Sequence, residues 1–367
     1  MENSKLGPIE GVALVVIIMT THILLNLPVS IIKSSGSAAI LNILYVIVLV
    51  FLLGYLLIKL FKNFNNYDII DISEFLGGKF LKVLLGILIM IYMIFVSSIL
   101  IRSFSESLKL IYLLETPVIY VVLVFIIMLI LANRFGFKTI VKCNLILMPI
   151  ILISILVIFF ASSREFDISR IFPVFGYGVK ETFLTGAGNI FAFGGIIILL
   201  FIIPLIKKRE DFKKITFLSI SISAAYLFMS VSALVLLFPY INNVETPLPV
   251  YLVTQNIELS RFFQRSDAIF MLIWILSTFS YLSIVSYFVL HIFKKITNIR
   301  NHGSMSYCLG AIMFSVALIP TNLAQVKLLE STVYKYSAVI IVYTICILIL
   351  ILANIKYKFI NRKKVKS

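Results

Sequence analysis

The feature that most constrains this chain is its series of apolar runs, each about 18 residues or longer. That length allows an α-helix to cross a bilayer, whose hydrocarbon core is about 30 Å thick. In lipid, the backbone groups of a segment must bond within it, so helices are the expected elements. A mean hydropathy of +1.11 excludes a soluble domain of this size. We therefore predict an all-α integral membrane protein whose surroundings are the lipid bilayer.

We predict ten transmembrane helices. Their approximate bounds are 10–32, 37–59, 82–105, 117–134, 138–160, 182–206, 215–239, 268–292, 304–320 and 336–356. With both termini in the cytoplasm, 22 of the 32 lysines and arginines fall on the cytoplasmic side, as the positive-inside rule requires. The net charge of +16 then follows from topology and contact with anionic lipid. It does not indicate nucleic-acid binding.

The sixth predicted span, Phe183 to Pro204, contains four glycines. They are Gly186, Gly188, Gly194 and Gly195. Each interior glycine costs a helix roughly 1 kcal/mol relative to alanine, so a helix built only to span would avoid them. A break at Gly194-Gly195 would leave backbone groups that must face protein, water or a ligand. The alternative is close helix packing through small residues.

The two halves of the chain share a layout. The first span has a polar centre at Thr20-Thr21-His22 followed by Pro28, and the sixth has its glycines followed by Pro204. Five spans separate these features, so the two units would be inverted in the membrane. Inverted repeats with interrupted helices are a known transporter architecture, with the substrate site near the midplane.

Long connectors strengthen the comparison of the halves. One follows the second span at 61–80 and another follows the seventh at 240–265. We predict five-helix repeats over 1–160 and 161–356, followed by a basic cytoplasmic tail over 357–367. The tail is interpreted as a lipid anchor, with docking to an acidic partner as the alternative.

Three stretches carry a resemblance to a known family. They are Gly11 to Pro28, with its Leu25-Asn26-Leu27-Pro28 ending; Leu113-Leu114-Glu115-Thr116-Pro117; and Phe172-Pro173-Val174-Phe175-Gly176-Tyr177-Gly178 before the sixth span. Together they resemble the B subunit of GerA-type spore germinant receptors, a spore germination permease family in the amino acid–polyamine–organocation superfamily. The resemblance implies a LeuT-like fold with broken helices 1 and 6. It also implies a small germinant, often an amino acid, bound between helices 1, 3, 6 and 8.

The resemblance further implies partners and a location. These are a germinant receptor A subunit and a lipoprotein C subunit, in the inner spore membrane or the cell membrane. Two positions depart from the family pattern. The first-helix break is usually glycine-rich, whereas this chain has Thr20-Thr21-His22. Many members have a glutamate just after the sixth-helix glycine, where this chain has Ile196 and Ile197.

The candidate ligand-binding site combines the two breaks with side chains on helices 3 and 8. Half-helix N-termini favour a carboxylate, and unwound carbonyls favour an ammonium. The candidates are Thr20, Thr21, His22, Ile23, Tyr92, Val96, Ala192, Phe193, Gly194, Gly195, Ser277 and Tyr281. Tyr92 and Val96 match family pocket positions and share one helix face. Ser277 and Tyr281 have the same spacing.

Each candidate has a structural alternative. His22 lies near the middle of its span, where an ionisable side chain indicates function. It contacts the ligand's carboxylate or titrates, or else it is a neutral histidine bonded between helices. The hydroxyls of Thr20 and Thr21 face the ligand or bond back to their own helix. The side chains on helices 3 and 8 line the pocket or pack ordinarily.

The sequence also lacks several groups. It has no Walker loop, HExxH motif or sensibly placed Ser/His/Asp set, so we predict no enzyme activity, no cofactor and no metal site, with a Na⁺ site made of carbonyls and hydroxyls left open as the alternative. After Glu10, no acidic residue falls in the middle of a predicted span, and proton-coupled pumps usually place carboxylates there. Three isolated cysteines, Cys143, Cys308 and Cys346, suit neither disulfides nor zinc and are predicted to be buried. Arg102 and Glu106 predict an ion pair.

Three functional hypotheses follow. The first is a nutrient receptor subunit that binds a small amino acid-like ligand at the midplane and triggers spore germination with partner subunits. The second is an ion-coupled amino acid transporter. The third is a structural membrane scaffold that binds no ligand. The missing carboxylates and the resemblance favour the receptor.

Overall fold

The computed structural model describes residues 5–24, 27–239, 251, 253, 266–299 and 302–366. Its helices are α1 (Pro8–Leu24), α2 (Leu27–Ser35), α3 (Ala39–Phe61), α4 (Ile69–Ile111), α5 (Val118–Phe135), α6 (Phe137–Ser162), α7 (Lys180–Leu205), α8 (Glu210–Leu237), α9 (Ser266–Thr297), α10 (His302–Ala317) and α11 (323–366). In these ranges the one β-type contact is an isolated bridge between Leu6 and Ile206.

Eight helical stretches of the described chain are long and apolar enough to cross a membrane. Two shorter apolar helices, α1 and Ser304–Ala317 within α10, complete the set. The all-helical membrane prediction is therefore confirmed, and the count of ten stays a prediction. Two predicted bounds are wrong, because α4 begins at Ile69 rather than 82 and α11 begins at Leu323 rather than 336.

A capping box formed by Asp68 and Asp71 stabilises the early start of α4. The Asp68 carboxylate accepts hydrogen bonds from the backbone N–H groups of Ile70 and Asp71, both at 3.0 Å. The Asp71 carboxylate accepts one from the Asp68 N–H at 3.2 Å. These bonds satisfy donors that a helix start leaves free. A kink follows at Gly77 and Gly78, where Gly78 has a φ of 70° that glycine adopts readily.

A short helix therefore occupies the predicted connector 61–80 before the chain turns into its third span. Lys356 of α11 donates to the carbonyl oxygens of Phe75 and Leu76, at 2.8 and 3.0 Å. These carbonyls lie at the end of the short helix, just before the kink. A cation is favourable at such a C-terminus. The corresponding connector at 240–265 lies outside the described residues except for 251 and 253.

Helix α7 departs from α geometry where the glycines predict a break. It runs as a π-helix over Lys180–Thr185 and as a 3-10 helix over Gly186–Ile198, then becomes α-helical at Leu199–Ile202. Inside the 3-10 stretch Phe193 leaves helical geometry, with φ −100° and ψ 22°. The interruption of α7 thus lies one residue before Gly194. The backbone on both sides of it stays helical rather than extended.

The predicted break at Thr20-Thr21-His22 is wrong. Helix α1 is continuous from Pro8 to Leu24, and α2 begins at Leu27. The Thr20 hydroxyl donates to the Val16 carbonyl at 2.8 Å, and the Thr21 hydroxyl donates to the Ile17 carbonyl at 2.7 Å. Such bonds to the preceding turn are compatible with a helix. The first predicted span therefore covers α1 and most of α2, and residues 25 and 26 between them lie outside the described residues.

Helices α1 and α7 lie in the core of the bundle. In the most apolar window of α7, 83% of the residues are buried, against 28% for α6. Helix α6 presents many large apolar side chains outward, as a lipid-facing helix does. The prediction that all three cysteines are buried is wrong for two of them. Cys346 is buried as predicted, but Cys143 and Cys308 are exposed.

Two ends of the bundle are distinguished by their contacts. We call the end holding Leu6 and Lys295 the N-terminal end, and the opposite end, holding Ser35 and Thr321, the far end. At the N-terminal end, the Leu6 N–H donates to the Leu205 carbonyl at 2.7 Å, which ties the start of α1 to the end of α7. At the far end, Arg102 pairs with Glu106 at 2.8 Å, which confirms that predicted ion pair.

Candidate ligand-binding site

A cavity lies between α1, α2, α4, α7 and α11. It contains about 380 Å³ of space not filled by protein atoms, including a part open to the outside. Its lining residues are His22, Leu27, Ser30, Val96, Ile99, Leu100, Phe191, Glu330 and Tyr334. Pockets for small molecules are typically apolar with a few polar groups that fix orientation, and this cavity has that composition.

His22 joins three helices through its ring. The imidazole stacks on the Tyr334 ring of α11, with centroids 5.1 Å apart and an interplanar angle of 28°. It also meets the Tyr281 ring of α9 edge-on, at 5.0 Å and 90°. Both geometries are favoured for aromatic pairs. Two sequence candidates, His22 and Tyr281, are therefore in contact, and His22 lines the cavity.

The wall contributed by α11 is irregular. Glu330–Tyr334 forms a π-helical turn, and both of its end residues line the cavity. π-turns inside α-helices are rare and occur frequently at functional sites. The Phe191 ring of α7 meets the Tyr334 ring edge-on at 5.5 Å. A carboxylate and aromatic faces therefore meet in one small volume.

Gly194 is in contact with two tyrosines. A Cβ added there would lie 3.2 Å from the Tyr92 hydroxyl oxygen and 3.3 Å from that of Tyr334. Tyr92 itself is 5% exposed and is not among the lining residues, whereas Val96, one turn along α4, lines the cavity. Glycine at 194 thus lets two tyrosine side chains approach the α7 backbone.

Gly195 faces the other way, toward α1. A Cβ added there would lie 2.8 Å from Ile18 Cγ2, 2.9 Å from Met19 Cγ and 3.1 Å from the Met19 backbone nitrogen. This is the close packing through small residues that the sequence left open as an alternative. The lack of a side chain at 195 sets the distance between α1 and α7.

Thr21 and Ser277 connect α1 to α9. Their hydroxyl oxygens are 2.9 Å apart, and the Thr21 hydroxyl is also 3.3 Å from the Ser277 carbonyl oxygen. Among the described residues, the Thr20 hydroxyl bonds to carbonyls of its own helix, at Val16 and Ile17. The remaining sequence candidates, Ile23, Ala192 and Phe193, are buried and lie outside the cavity lining. Their role in binding stays a prediction.

Two buried asparagine side chains form a hydrogen-bonded network close to the cavity residue Phe191. The Asn189 amide of α7 donates to Asn42 Oδ1 at 2.8 Å and to the Ser34 hydroxyl at 2.9 Å. The Asn42 amide donates to the Thr182 carbonyl at 2.7 Å. Lys335 of α11 donates to Asn189 Oδ1 at 3.1 Å. These bonds hold α2, α3, α7 and α11 together next to Phe191.

An ion cluster closes the N-terminal end. Asp68, with no exposed surface, accepts a hydrogen bond from Lys295 at 2.5 Å and lies 3.4 Å from His291 Nε2. Lys295 also donates to Asp71 at 2.6 Å. Burial alone would raise the pKa of the Asp68 carboxyl, but the hydrogen bond from His291 and the charge of Lys295 outweigh it and lower that pKa to about 2. The cluster ties the start of α4 to the end of α9.

Sequence reasoning missed seven of the nine lining residues. It placed the tenth span at 336–356, so Glu330 and Tyr334 fell in a loop. Structurally, Glu330 belongs to a span that runs over Leu323–Asn361. The usable signal was the spacing of Val326, Tyr334 and Ala338, which are buried at helical intervals across a polar stretch. Phe191, beside the predicted break, was one residue from the chosen set.

Comparison with known proteins agrees with this architecture. The family model described as spore germination protein matches residues 5–326. Spore germination protein A2 of Bacillus subtilis (strain 168) is 26% identical over 256 residues, which are 68% of this chain and 69% of that protein. Spore germination protein KB of the same organism is 22% identical over 262 residues, 69% of each chain. Protein B2 is 28% identical over 166 residues, 45% of each.

A solved structure supplies the fold. The chain is similar to a Na⁺-coupled sialic acid symporter in a substrate-bound outward-open state, with a TM-score of 0.61 and 13% identity. The likeness covers 92% of this chain and 79% of the symporter. It confirms the LeuT-like fold class. Both comparisons lead to transport-type membrane proteins rather than enzymes.

Proposed function

This chain belongs to the family of spore germination proteins, and we propose that it is a germinant receptor subunit that binds a small amino acid-like ligand in the cavity beside His22. Membership of the family supports a germinant receptor or permease-like role in a membrane. The observation that carries the finer proposal is the cavity, because its lining comes from helices α1, α2, α4, α7 and α11 at once. A ligand there contacts elements whose relative positions a receptor must change.

The cavity residues suit a small ligand with an apolar part. Leu27, Val96, Ile99 and Leu100 provide an aliphatic wall, and Ser30 and Tyr334 provide hydroxyls. His22 contacts both Tyr281 and Tyr334, so a ligand that displaces the imidazole changes the contact of α1 with α9 and α11. A ligand with different affinity for two arrangements shifts their populations.

Transmission to partners is proposed to use the N-terminal end of the bundle. There the backbone of Leu6 bonds to Leu205 and Lys207, and Asp68 bonds to Lys295. Movement of α1 or α7 strains the first contact, and movement of α9 strains the second. In this proposal an A subunit and a lipoprotein C subunit read the change in the inner spore membrane, with both termini in the cytoplasm and five-helix units over 1–160 and 161–356.

The test is thermal unfolding of the purified full chain across a panel of amino acids, nucleosides and sugars, repeated with His22→Ala. A ligand that binds only the folded state adds about 2.7 kcal/mol at a hundred times its Kd. We expect an amino acid to stabilise the wild type and the variant to lose the effect. Stabilisation by sugars or nucleosides alone contradicts the proposal.

An ion-coupled amino acid transporter is the second candidate, favoured by the fold shared with a symporter. Uptake of the stabilising amino acid by proteoliposomes that contain the protein distinguishes a receptor subunit from a transporter. A receptor subunit binds the amino acid without accumulating it. Uptake that depends on a sodium or proton gradient assigns the chain to the transporters.

A further inference from the structure

We infer that Glu330 binds the ammonium group of the ligand, so that the cavity selects molecules with a primary amine next to a small aliphatic body. The inference rests on the proposed function and specifies the recognition chemistry of the same cavity. It assigns that role to a side chain of α11 rather than to backbone carbonyls of α1 and α7.

The first support is the position of Glu330 in the cavity. Among the lining residues of the described structure it is the one carboxylate. It begins the π-turn that ends at Tyr334, so one irregular turn supplies a carboxylate and an aromatic ring. A charge-assisted bond between ammonium and carboxylate is about twice as strong as a neutral one.

The second support is the aromatic surroundings. Tyr334 stacks on His22 and meets Phe191 edge-on, with centroid distances of 5.1 and 5.5 Å. A cation is attracted to the face of an aromatic ring within about 6 Å of its centre. Lys335 already uses this attraction, because its ammonium lies 5.7 Å from the centre of the Phe191 ring.

The third support is the distribution of other charges. Glu330 and Lys33 both act electrostatically on Lys327, and Lys335 bonds to Asn189. No lysine or arginine is among the cavity lining residues that the structure describes. An ionised carboxylate has about four acceptor sites, so Glu330 can bind a ligand ammonium in addition to the partners that it already has. A ligand carboxylate has no matching cation in this lining.

This arrangement makes the amine more important than the carboxylate. Amino acids and their decarboxylated amines should both bind, whereas deaminated hydroxy acids of the same shape should not. The aliphatic part of each would contact Leu27, Val96, Ile99 and Leu100, which form the apolar wall. The alternative is that Glu330 only pairs with Lys327 to hold α11 in place, which predicts no preference for amines.

The experiment is calorimetric titration of the full chain in lipid nanodiscs. The probes are L-valine and L-leucine, the amines isobutylamine and isoamylamine, and the hydroxy acids 2-hydroxyisovalerate and 2-hydroxyisocaproate. The variants are Glu330→Gln, Glu330→Asp and the control Glu115→Gln. Glu115 is an exposed glutamate of the loop between α4 and α5, and it is not among the cavity lining residues.

We expect wild type and Glu115→Gln to bind an amine probe at least tenfold more tightly than its hydroxy acid. Glu330→Gln should weaken amine binding at least tenfold, a change of about 1.4 kcal/mol. Glu330→Asp should keep the preference for amines with weaker affinity, and it decides the question if the glutamine variant does not fold. An aspartate variant with unchanged amine affinity overturns the inference.

Two further results overturn the inference. One is amine binding by Glu330→Gln within threefold of wild type, and the other is equal binding of amine and hydroxy acid by wild type. The proposed function survives the first of these, because the wild type still binds an amino acid. If no probe in this panel or in the wider amino acid panel binds, both proposals fail.

Discussion

The imidazole of His22 stacks on the phenol of Tyr334, with ring centroids 5.1 Å apart and planes inclined by 28°. This contact joins the first span of the bundle to the last at the wall of the cavity. A sequence separation of more than 300 residues makes it a purely tertiary contact. Any ligand that enters beside His22 must keep this stacking or replace it, so the pair is the most sensitive place to probe the site.

Substitution of His22 by phenylalanine separates packing from recognition. Phenylalanine keeps an aromatic face for Tyr334 and Tyr281, so we expect His22→Phe to unfold within about 1 kcal/mol of wild type. His22→Ala loses aromatic contacts worth about 0.5–1.5 kcal/mol per pair and should be less stable. Both variants should lose ligand-induced stabilisation, because both lack the ring nitrogens. Full ligand stabilisation of His22→Phe would show that the nitrogens have no role.

Substitution of the two adjacent glycines should have unequal effects. An alanine Cβ at 195 would approach the Met19 backbone nitrogen to 3.1 Å and Ile18 Cγ2 to 2.8 Å. Overpacking of this kind costs about 1–3 kcal/mol. At 194 the nearest atoms are tyrosine hydroxyl oxygens at 3.2 and 3.3 Å, which lie at the ends of side chains. We expect Gly195→Ala to lower the unfolding midpoint more than Gly194→Ala, and the reverse order would contradict the close packing of α1 on α7.

The Asp68 cluster predicts a pH dependence of stability. The pKa of Asp68 is lowered from 3.8 to about 2, so the stability that its ionised form contributes is complete above pH 4. It is lost as pH falls from about 4 through 2. Asp68→Asn can still cap α4 through its side-chain oxygen, but it leaves Lys295 with one carboxylate, Asp71.

The measurement for this cluster is the unfolding midpoint between pH 2 and 7. Wild type should lose more stability than Asp68→Asn between pH 4 and 2, and at pH 7 the variant should be less stable by about 3 kcal/mol, the size expected when one partner of a buried pair is removed. Parallel curves for the two proteins over the whole range would mean that the cluster contributes no charge-dependent stability.

Thr20 and Thr21 form a matched pair for testing the link between α1 and α9. Both hydroxyls bond to their own helix, but only Thr21 also reaches Ser277. A double-mutant cycle of Thr21→Val with Ser277→Ala should give a coupling energy of about 0.5–1.5 kcal/mol. The same cycle with Thr20→Val should give a value near zero. Equal coupling in both cycles would exclude a specific bond between Thr21 and Ser277.

The all-helical membrane class was predictable because the length of an apolar span is set by the thickness of the bilayer. His22 was predictable for the same reason, since an ionisable side chain inside an apolar run is conspicuous in any sequence. Helix α7 was predictable from its glycines, although the interruption takes the form of a 3-10 stretch with a distortion at Phe193.

Hydropathy alone did not reveal the part of the cavity lining that α11 contributes, Glu330 and Tyr334. Hydropathy places the start of the last span after Lys335, because Lys327, Glu330 and Lys335 make the preceding residues polar. Tertiary contacts, such as the bond from Lys335 to Asn189, satisfy these polar groups and extend the helix. The polar centre of α1 misled for a related reason, since threonine hydroxyls bonded back to the helix instead of replacing its bonds.

The most direct test of the central claim is protection of the cavity by ligand. Ser30 lines the cavity, and the exposed native thiols Cys143 and Cys308 can be replaced by alanine. In that background Ser30→Cys is labelled with a polar thiol reagent, with and without the amino acid that most stabilises the wild type. The control is Leu114→Cys, at an exposed position in the loop between α4 and α5.

We expect the amino acid at a hundred times its Kd to slow labelling of Ser30→Cys at least tenfold and to leave Leu114→Cys unchanged. Labelling of Ser30→Cys that is equally fast with and without the amino acid would contradict binding in this cavity.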